Sequence, residues 1–534
     1  MKKYRNNFKN ISSAWIYILM IIIAAVAASL AVDNIKLSTD SLRYGLISQQ
    51  ILSGNGIRIP AIRLEDNYIP VSGAIPYLEQ PPLLPILLAL LGSVTPDSFF
   101  PAQLLNMVCH IVSTVFTFLI MVKLYDNKII GLLTGTLVSF SYPMLKLTQN
   151  IISEPLFIAL TVAAVYFLVL LRTSNQFQFG RLIVVASFFA TASIMTRWAG
   201  VSLIGLFLVE FLILVKNKRP EAMKLSTYIA IAMPIVATIA LFTRNYIISG
   251  TIRGINQPSP GRTYINAITG TIRMIFEQFQ LGTYAIILIA LLLTAFIILV
   301  LVRVNLRKES LKLFNSGLGS IIFFMLTYIT LIIITMAEKQ AQFEVRYVSP
   351  LVPFLFVCLI LITVLIWKEI EFKAFSKLSL IGTTLSLSII VSGNFYKTFV
   401  HIPDFSYKQE KVYSILNSCT FKWVKDNYDI TRLITTNKPY HLSFFGGYST
   451  IITPHSKFDW NIKVPVGMES LLPIRMNKIG SQVLVLFEPV EEPYDGSYLA
   501  NLFVKRETDD TFTLAHKCAD GAVYILRGYQ PDTD

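Results

Sequence analysis

Long apolar segments alternate with short polar segments over the first 400 residues of the chain. The hydrocarbon core of a bilayer is about 30 Å thick, so a helix needs about 20 apolar residues to cross it. By this criterion the pattern predicts about eleven transmembrane helices. They cover residues 14–32, 99–123, 128–147, 153–171, 181–197, 198–215, 225–247, 281–302, 315–336, 347–367 and 378–395. The pattern therefore predicts a mainly α-helical, polytopic membrane protein.

The polar segments predict the orientation of these helices. The N-terminal segment MKKYRNNFKN and the loops KNKRPEAMK and RVNLRKESLK are rich in Lys and Arg. Cytoplasmic loops carry such an excess, so the N-terminus is predicted to be cytoplasmic. The small residues AASLA are compatible with a cleavable signal peptide, but the first apolar run is longer than a usual signal core, so the first helix is predicted to remain uncleaved. The long polar loops at about 33–98 and 250–280 then lie on the outer face, and the second is expected to end in a short interfacial helix.

The pattern changes after residue 400. A segment with helical spacing, at 407–428, precedes short β-rich runs such as RLITT, STIIT and QVLVLFEP. A final pair of runs predicts a hairpin around Asp520 and Gly521. We therefore predict a transmembrane domain at 1–400 and a small extracytoplasmic α/β domain at 401–534. Cys419 and Cys518 lie in the second domain, and the sequence leaves open whether they form a disulfide.

Composition narrows the classes of function. Hydrophobic residues make up 54% of the chain and charged residues 15%, which is typical of a protein solvated largely by lipid. The net charge of +14 lies largely in short loops, where membrane topology explains it better than nucleic acid does. Within the predicted spans only Glu210 and His110 are ionisable near mid-span, and His110 is expected to be a satisfied buried histidine. The predicted outer ends of the helices carry many more charges, and together with the first loop they form a polar layer on the outer face: Glu154, Arg197, Arg244, Glu338, Lys339, Glu344 and Arg346. Such a layer at one face disfavours a transporter with a site at the bilayer midplane and favours an enzyme acting on a lipid-linked head group.

Several segments in order resemble the GT-C superfamily of membrane glycosyltransferases. The resemblance is greatest to bacterial relatives of protein O-mannosyltransferases and of the aminoarabinose transferase that modifies lipid A. It rests on these segments: TDSLRYGLISQQILSGNG, EQPPLLPILLALLG, SEPLFIAL, TRWAG, TRNYIISGT and RYVSPLVPFLF. Two positions depart from the family pattern. Ser41 follows Asp40, where the O-mannosyltransferases usually have an acidic pair. Gln80 precedes Pro81 and Pro82, where the aminoarabinose transferases have the lysine of a KPP sequence.

The resemblance implies an inverting glycosyltransferase. Such an enzyme moves a sugar from a polyprenyl-phosphate carrier in the membrane lipid to an acceptor glycan, lipid or protein at the outer face of the cell membrane. Asp40 stands at the catalytic carboxylate position. The other predicted site residues are Glu65, Asp66 and Glu79 for acceptor or metal, Arg244, Arg346 and Arg197 for the donor phosphate, and Glu154, Tyr44 and Tyr77 for orienting groups or the sugar.

Other interpretations of these residues and of the chain remain. Loop carboxylates are often simply solvated, and arginines at helix ends often extend to lipid head groups. A divalent metal is compatible with the acidic residues, although no ligand spacing indicates one. The alternative functions are a flippase or exporter of lipid-linked glycans and a non-catalytic assembly scaffold.

Overall fold

The computed structural model describes most of the chain. The described residues are 13–32, 37–63, 75–173, 176–216, 224–252, 263–280, 294, 300, 304–339, 343–370, 392–400, 402, 415–452, 476–477, 480–487 and 511–527. Within them, eight helices are long and apolar enough to cross a membrane, and one bent helix pair would make a ninth.

The long helices follow the predicted apolar segments closely, and shorter helices lie in the loops and in the C-terminal region. They are α1 Ser13–Val32, α2 Thr39–Leu52, α3 Leu83–Leu90, α4 Phe100–Tyr125, α5 Lys128–Ser139, α6 Tyr142–Thr148, α7 Glu154–Thr173, α8 Gln176–Thr196, α9 Ser202–Lys216, α10 Leu225–Ser249, α11 Tyr264–Glu277, α12 Val304–Leu313, α13 Gly319–Lys339, α14 Val352–Ile370, α15 Cys419–Asn427 and α16 Pro439–Gly446. The spanning helices and the bent pair α5–α6 correspond to nine of the eleven predicted spans. The other two, at 281–302 and 378–395, lie almost entirely outside the described residues.

The predicted inner loop RVNLRKESLK is largely helical. It forms α12, which continues through a π-helical turn, Phe314–Leu318, into α13. Its Leu, Arg, Lys and Glu residues are all good helix formers, which the loop prediction neglected. The continuous helix is bent at Gly317, where φ is 145° and a Cβ would approach Val169 to 2.7 Å. Glycine is the residue that suits both constraints.

The two ionisable residues near mid-span, Glu210 and His110, both have hydrogen-bonding partners. Glu210 on α9 accepts two hydrogen bonds from Arg172 on α7, at 3.1 and 2.9 Å. A buried carboxylate is tolerated when an arginine neutralises it in this bidentate way. His110 is buried between Thr148 Oγ1 at 3.2 Å and the Ser139 carbonyl at 3.1 Å, as predicted.

The chain forms two compact units that do not follow its linear order. The first comprises residues 1–35, 103–242 and 261–405, and its core is built from the spanning helices. The second comprises residues 36–102, 243–260 and 406–534. The second unit thus includes parts of both predicted outer loops. The sequence pattern predicts instead that these loops belong to the transmembrane domain.

A six-stranded mixed sheet forms the centre of the second unit. The strands of the chain are β1 Arg58–Ile59, β2 Ala61–Arg63, β3 Ile75–Pro76, β4 Leu433–Thr436, β5 Ser449–Ile452, β6 Val483–Phe487, β7 Phe512–Cys518 and β8 Gly521–Leu526. The order in the large sheet is β2-β5-β4-β6-β8-β7, while β1 pairs with β3 separately. The predicted β-rich runs form β4, β5 and β6, and the predicted hairpin forms β7 and β8. No pattern in the sequence predicts β2, which is only three residues long.

The turn of the β7–β8 hairpin is tied to the start of α15. Asp520 accepts hydrogen bonds from the backbone N–H groups of Cys419 and Thr420 and from Thr420 Oγ1. Cys419 and Cys518 form a disulfide at the same junction, with their Cα atoms 6.0 Å apart. Burial alone would raise the pKa of Asp520, but the hydrogen bonds, including one from Ser418, hold it below its usual value.

Replacing Asp520 is expected to loosen this junction. Asp520→Ala removes the hydrogen bonds that Asp520 accepts from the first turn of α15 in addition to the N-cap Ser418, which costs about 1–2 kcal/mol of local stability. Hydrogen exchange in the full chain should show about tenfold less protection of the α15 amides, whereas Asp426→Ala, an exposed change on the same helix, should leave protection unchanged. Since the pKa of Asp520 is lowered, the contribution is present at neutral pH and is lost only as the pH falls through that lowered pKa. Equal protection in the two variants would contradict the capping role.

Candidate functional site

Asp40 lies in the first turn of α2. Ser38 is the N-cap residue: its Oγ accepts from the N–H of Ser41 at 3.2 Å, while Ser41 Oγ accepts from the N–H of Ser38 at 3.0 Å. This capping box explains the departure from the acidic pair of the relatives, because Ser41 is buried and serves the helix start. The first turn of a helix also favours a carboxylate, so Asp40 is stabilised in its charged form there.

Arg43 follows Asp40 by one helical turn and links it to Glu79. Its Nη1 lies 2.6 Å from Oε2 of Glu79 and 3.8 Å from Oδ1 of Asp40. Burial alone would lower the pKa of the Arg43 guanidinium, but Glu79, Tyr440 and Asp40 raise it well above the usual value. Arg43 is therefore a permanent cation between two carboxylates.

The segment after β3 adds Tyr77 to the group formed by Asp40, Arg43 and Glu79. Tyr77 is buried, and burial together with Tyr44 and Glu79 raises its pKa well above the usual value, so it stays a neutral hydroxyl. Asp40 and Arg43 also act on it electrostatically. We call the group formed by Asp40, Arg43, Tyr44, Tyr77, Glu79, Arg244 and Tyr440 the Asp40 cluster.

Arg244 reaches the Asp40 cluster from the end of α10. Its Nη2 donates to the carbonyl of Tyr77 at 2.8 Å, and the neighbouring Asn245 donates to the carbonyl of Leu78 at 3.4 Å. In the described part of the chain, no carboxylate forms an ion pair with Arg244. The end of α10 thus holds the backbone of this segment and keeps one arginine available for an anion.

The groups of the Asp40 cluster differ in accessibility. The side chain of Asp40 is 35% exposed, that of Glu79 22% and that of Arg43 13%. Asp40 is thus the more accessible carboxylate, and Arg43 lies much nearer to Glu79 than to Asp40. An accessible carboxylate beside a fixed cation is suited to accept a proton from a hydroxyl group.

Three other predicted residues form a separate cluster in the first unit. Glu154, at the start of α7, is 2% exposed and lies 2.8 Å from Nη1 of Arg197 and 3.8 Å from Nε of Arg346. Arg197 also donates to Ser153 Oγ at 2.8 Å, and Arg346 forms a second ion pair with Glu344. We call this group the Glu154 cluster. Because its two arginines face two carboxylates, it is nearly neutral overall.

The predicted site residues thus fall into three groups. Asp40, Tyr44, Tyr77, Glu79 and Arg244 belong to the Asp40 cluster. Glu154, Arg197 and Arg346 belong to the Glu154 cluster, and Glu65 and Asp66 lie outside the described residues.

Sequence reasoning missed Arg43 and Tyr440. The spacing of Arg43 from Asp40, three residues along a helix, was an available signal. Nothing in the sequence connects Tyr440 with a residue 400 positions earlier.

The described residues contain one group with the geometry of metal ligands, and it lies elsewhere. Cys419, His516 and Cys518 have ligand atoms within 4.8 Å of one another, but the two sulfurs are joined in the disulfide. In the Asp40 cluster, Glu79 is occupied by Arg43, so a cation there would have to displace the guanidinium.

Comparisons with known proteins agree with this architecture. The family described as dolichyl-phosphate-mannose-protein mannosyltransferase matches residues 79–242. No curated protein matches the chain by sequence.

Solved structures match nearly the whole chain. ArnT from Cupriavidus metallidurans in the apo state matches with a TM-score of 0.60 and 10% identity, over 96% of this chain and 98% of that one. ArnT bound to undecaprenyl phosphate matches with a TM-score of 0.58, 11% identity and the same coverage. The Archaeoglobus fulgidus oligosaccharyltransferase in complex with Zn and sulfate matches with a TM-score of 0.50 and 12% identity, over 88% of this chain and 68% of that one. The resemblance to GT-C enzymes is therefore confirmed, and the chain is a multi-pass membrane protein with their fold.

Proposed function

We propose that this GT-C-fold protein is a glycosyltransferase that moves a sugar from a polyprenyl-phosphate carrier to a hydroxyl-bearing acceptor at the outer face of the membrane. The observation that carries the proposal is the Asp40 cluster, in which an accessible carboxylate and an arginine with no carboxylate partner among the described residues lie in one compact unit. An ArnT structure of the same fold holds undecaprenyl phosphate, which supports a carrier of this class.

The chemistry of the transfer assigns Asp40 the role of general base. Asp40 takes the proton of the acceptor hydroxyl while the oxygen attacks the anomeric carbon of the sugar. The bond from that carbon to the carrier phosphate breaks, and its electron pair leaves with the phosphate. Because attack and departure occur on opposite sides of the carbon, a single displacement inverts its configuration.

The leaving phosphate requires a cation, and Arg244 fits this role best. Its guanidinium is half-buried, is held at one nitrogen by the Tyr77 carbonyl and keeps further N–H groups for phosphate oxygens. Arg197 and Arg346 remain proposed donor-phosphate residues. An anion there must compete with Glu154 and Glu344, so we rank them below Arg244.

Two features support the outer face as the place of reaction. The disulfide between Cys419 and Cys518 belongs to the same compact unit as Asp40, and disulfides persist in oxidising compartments outside the cytosol. Basic residues in the predicted inner loops give the same orientation. Labelling of single cysteines introduced into the second unit, in intact cells with an impermeant maleimide, tests this orientation.

The alternative function, a flippase of lipid-linked glycans, would require a different arrangement of charged residues. Charges would have to line a path through the bundle, whereas in the described residues the mid-span carboxylate Glu210 is neutralised by Arg172. Formation of a glycosidic bond by the purified full chain, with a panel of hexosyl and pentosyl polyprenyl phosphates, separates the two functions. Transport without bond formation would reject the enzyme.

Arg244→Gln is expected to weaken binding of the carrier. Charge-assisted hydrogen bonds are worth about 1.5–3 kcal/mol, so the Kd for undecaprenyl phosphate should rise about tenfold or more. Native mass spectrometry of the full chain with undecaprenyl phosphate measures this, with undecaprenol as the uncharged ligand. The control is Arg273→Gln, at an arginine whose side chain is 80% exposed on α11. An equal effect of Arg244→Gln on both ligands would contradict a phosphate contact.

A further inference from the structure

The C-terminal region and the first polar loop share one sheet. Strand β2 from the loop pairs in parallel with β5 from the C-terminal region, in the register of Ala61 with Thr450. The N–H of Thr450 also donates to the carbonyl of Pro60 at 3.1 Å. The loop that carries Asp40 is therefore built into the C-terminal sheet.

Helix α16 of the C-terminal region packs directly on α2. A Cβ atom at Gly45 would lie 2.7 Å from Cε2 of Phe444, so a larger residue there would collide with the ring unless it moved. This close approach sets the position of α16 along α2. It brings Tyr440, one turn before Phe444 on α16, over Arg43.

Tyr440 covers the guanidinium group of Arg43. The Cζ atom of Arg43 lies 4.6 Å from the centre of the tyrosine ring, and Tyr440 is 6% exposed. The buried Nε of Arg43 has no hydrogen-bond acceptor among the described residues. The orientation of the guanidinium therefore depends on the ring on its face and the carboxylates at its edge.

Both carboxylates form their ion pair with the same nitrogen of Arg43. Its Nη1 is 2.6 Å from Glu79 and 3.8 Å from Asp40, while the tyrosine ring occupies a face rather than the edge. A guanidinium presents its donors in one rigid plane. Any rotation of that plane changes the distance from Nη1 to Asp40.

We infer that Tyr440 is a positioning residue for Asp40, acting through the guanidinium of Arg43. The C-terminal region is then a working part of the transferase site, because its helix α16 fixes the cation beside the base. This inference rests on the proposed function, which assigns Asp40 its role as the base.

Loss of this positioning changes the response of the reaction to pH. Besides Asp40, the Asp40 cluster contains Arg43 and Tyr44 on α2, Tyr77 and Glu79 on the segment after β3, Arg244 on α10 and Tyr440 on α16, and Asp40 acts electrostatically on both Arg43 and Tyr77. Among them, Arg43 is the cation that forms an ion pair with Asp40, and it favours the charged carboxylate. When Arg43 turns away, the carboxylate keeps its proton to higher pH, so the acid limb of the pH profile moves upward.

The test compares Tyr440→Leu, which removes the ring, with Tyr440→Phe, which keeps it, in the full chain. Tyr440→Leu should lower kcat/KM about 5- to 20-fold at neutral pH and move the acid limb up by about 0.5–1 pH unit. Tyr440→Phe should stay within about twofold of the wild type, because the ring face remains. Tyr448→Leu is the control for simple destabilisation, since the buried Tyr448 bonds the carbonyls of Val424 and Tyr428 within the C-terminal region.

A second readout does not require activity. Modification of Asp40 by a water-soluble carbodiimide, followed across pH by peptide mass spectrometry, should have its midpoint at higher pH in Tyr440→Leu than in wild type and Tyr440→Phe. An unchanged midpoint and pH profile, or the same shift in Tyr448→Leu, would overturn the positioning role. A wild type that transfers no sugar but shows the midpoint shift would reject the proposed function and keep the coupling.

Discussion

Asp40→Asn is expected to reduce sugar transfer about 10²- to 10⁴-fold, the range that a general base contributes. The amide retains the size of the side chain but accepts no proton from the acceptor. Initial rates of the purified full chain, with polyprenyl-phosphate sugars as donors, measure the loss. Binding of undecaprenyl phosphate should remain close to that of wild type, because the phosphate contact belongs to Arg244.

Two controls separate this effect from damage to the fold. The pair formed by Arg43 and Glu79 remains in the variant, and a partly exposed ion pair such as that of Asp40 contributes less than about 1 kcal/mol, so the melting temperature should change little. Asp97→Asn changes an exposed aspartate elsewhere in the same unit and should retain full activity. Transfer by Asp40→Asn at a rate within twofold of wild type would exclude Asp40 as the base.

Glu154→Gln is expected to destabilise the first unit by about 3 kcal/mol. The substitution keeps the shape of the side chain but leaves Arg197 and Arg346 without their shared buried counter-ion. Removing one partner of a buried ion pair costs about 3–5 kcal/mol, and the partial exposure of both arginines places the effect at the lower end. Thermal unfolding in detergent, followed by size-exclusion chromatography of heated samples, measures the change.

The chain offers a matched control at Glu344. This carboxylate also pairs with Arg346, but its side chain is 38% exposed, against 2% for Glu154. Exposed ion pairs contribute about 0–1 kcal/mol, so Glu344→Gln should unfold close to the wild-type temperature. If the two variants unfold at the same temperature, burial of Glu154 is not what stabilises this cluster.

Part of the Asp40 cluster could be predicted from the acidic residues of the first loop. Asp40 and Glu79 were both selected from one charged loop, and the structure brings them to a single arginine. Arg43 was visible as the residue one turn after Asp40, but helical spacing alone does not reveal that Glu79, 36 positions later, is the nearer partner. That pairing depends on the short strands β1 and β3, which carry almost no sequence signal.

The division into units shows a second limit. Composition separates the apolar helices from the C-terminal α/β region, which is why a boundary near residue 400 was predicted. It contains no information on strand pairing between distant segments, so the inclusion of Ala61–Arg63 in the C-terminal sheet was not foreseen. Composition likewise does not reveal the contact between Gly45 and Phe444.

The sequence by itself determined the membrane-spanning character, most of the spans, the hairpin at Asp520 and the choice of Asp40 as the candidate base. These features depend on local periodicity, on hydropathy or on motifs that are contiguous in the chain. Only the tertiary structure decided which charges meet: Arg43 with Glu79 and Asp40 beneath Tyr440, Arg244 with the Tyr77 carbonyl, and Arg197 with Glu154. The physical reason is that ion pairs and ring contacts act over a few ångströms between residues far apart in sequence, and packing alone brings them within that range.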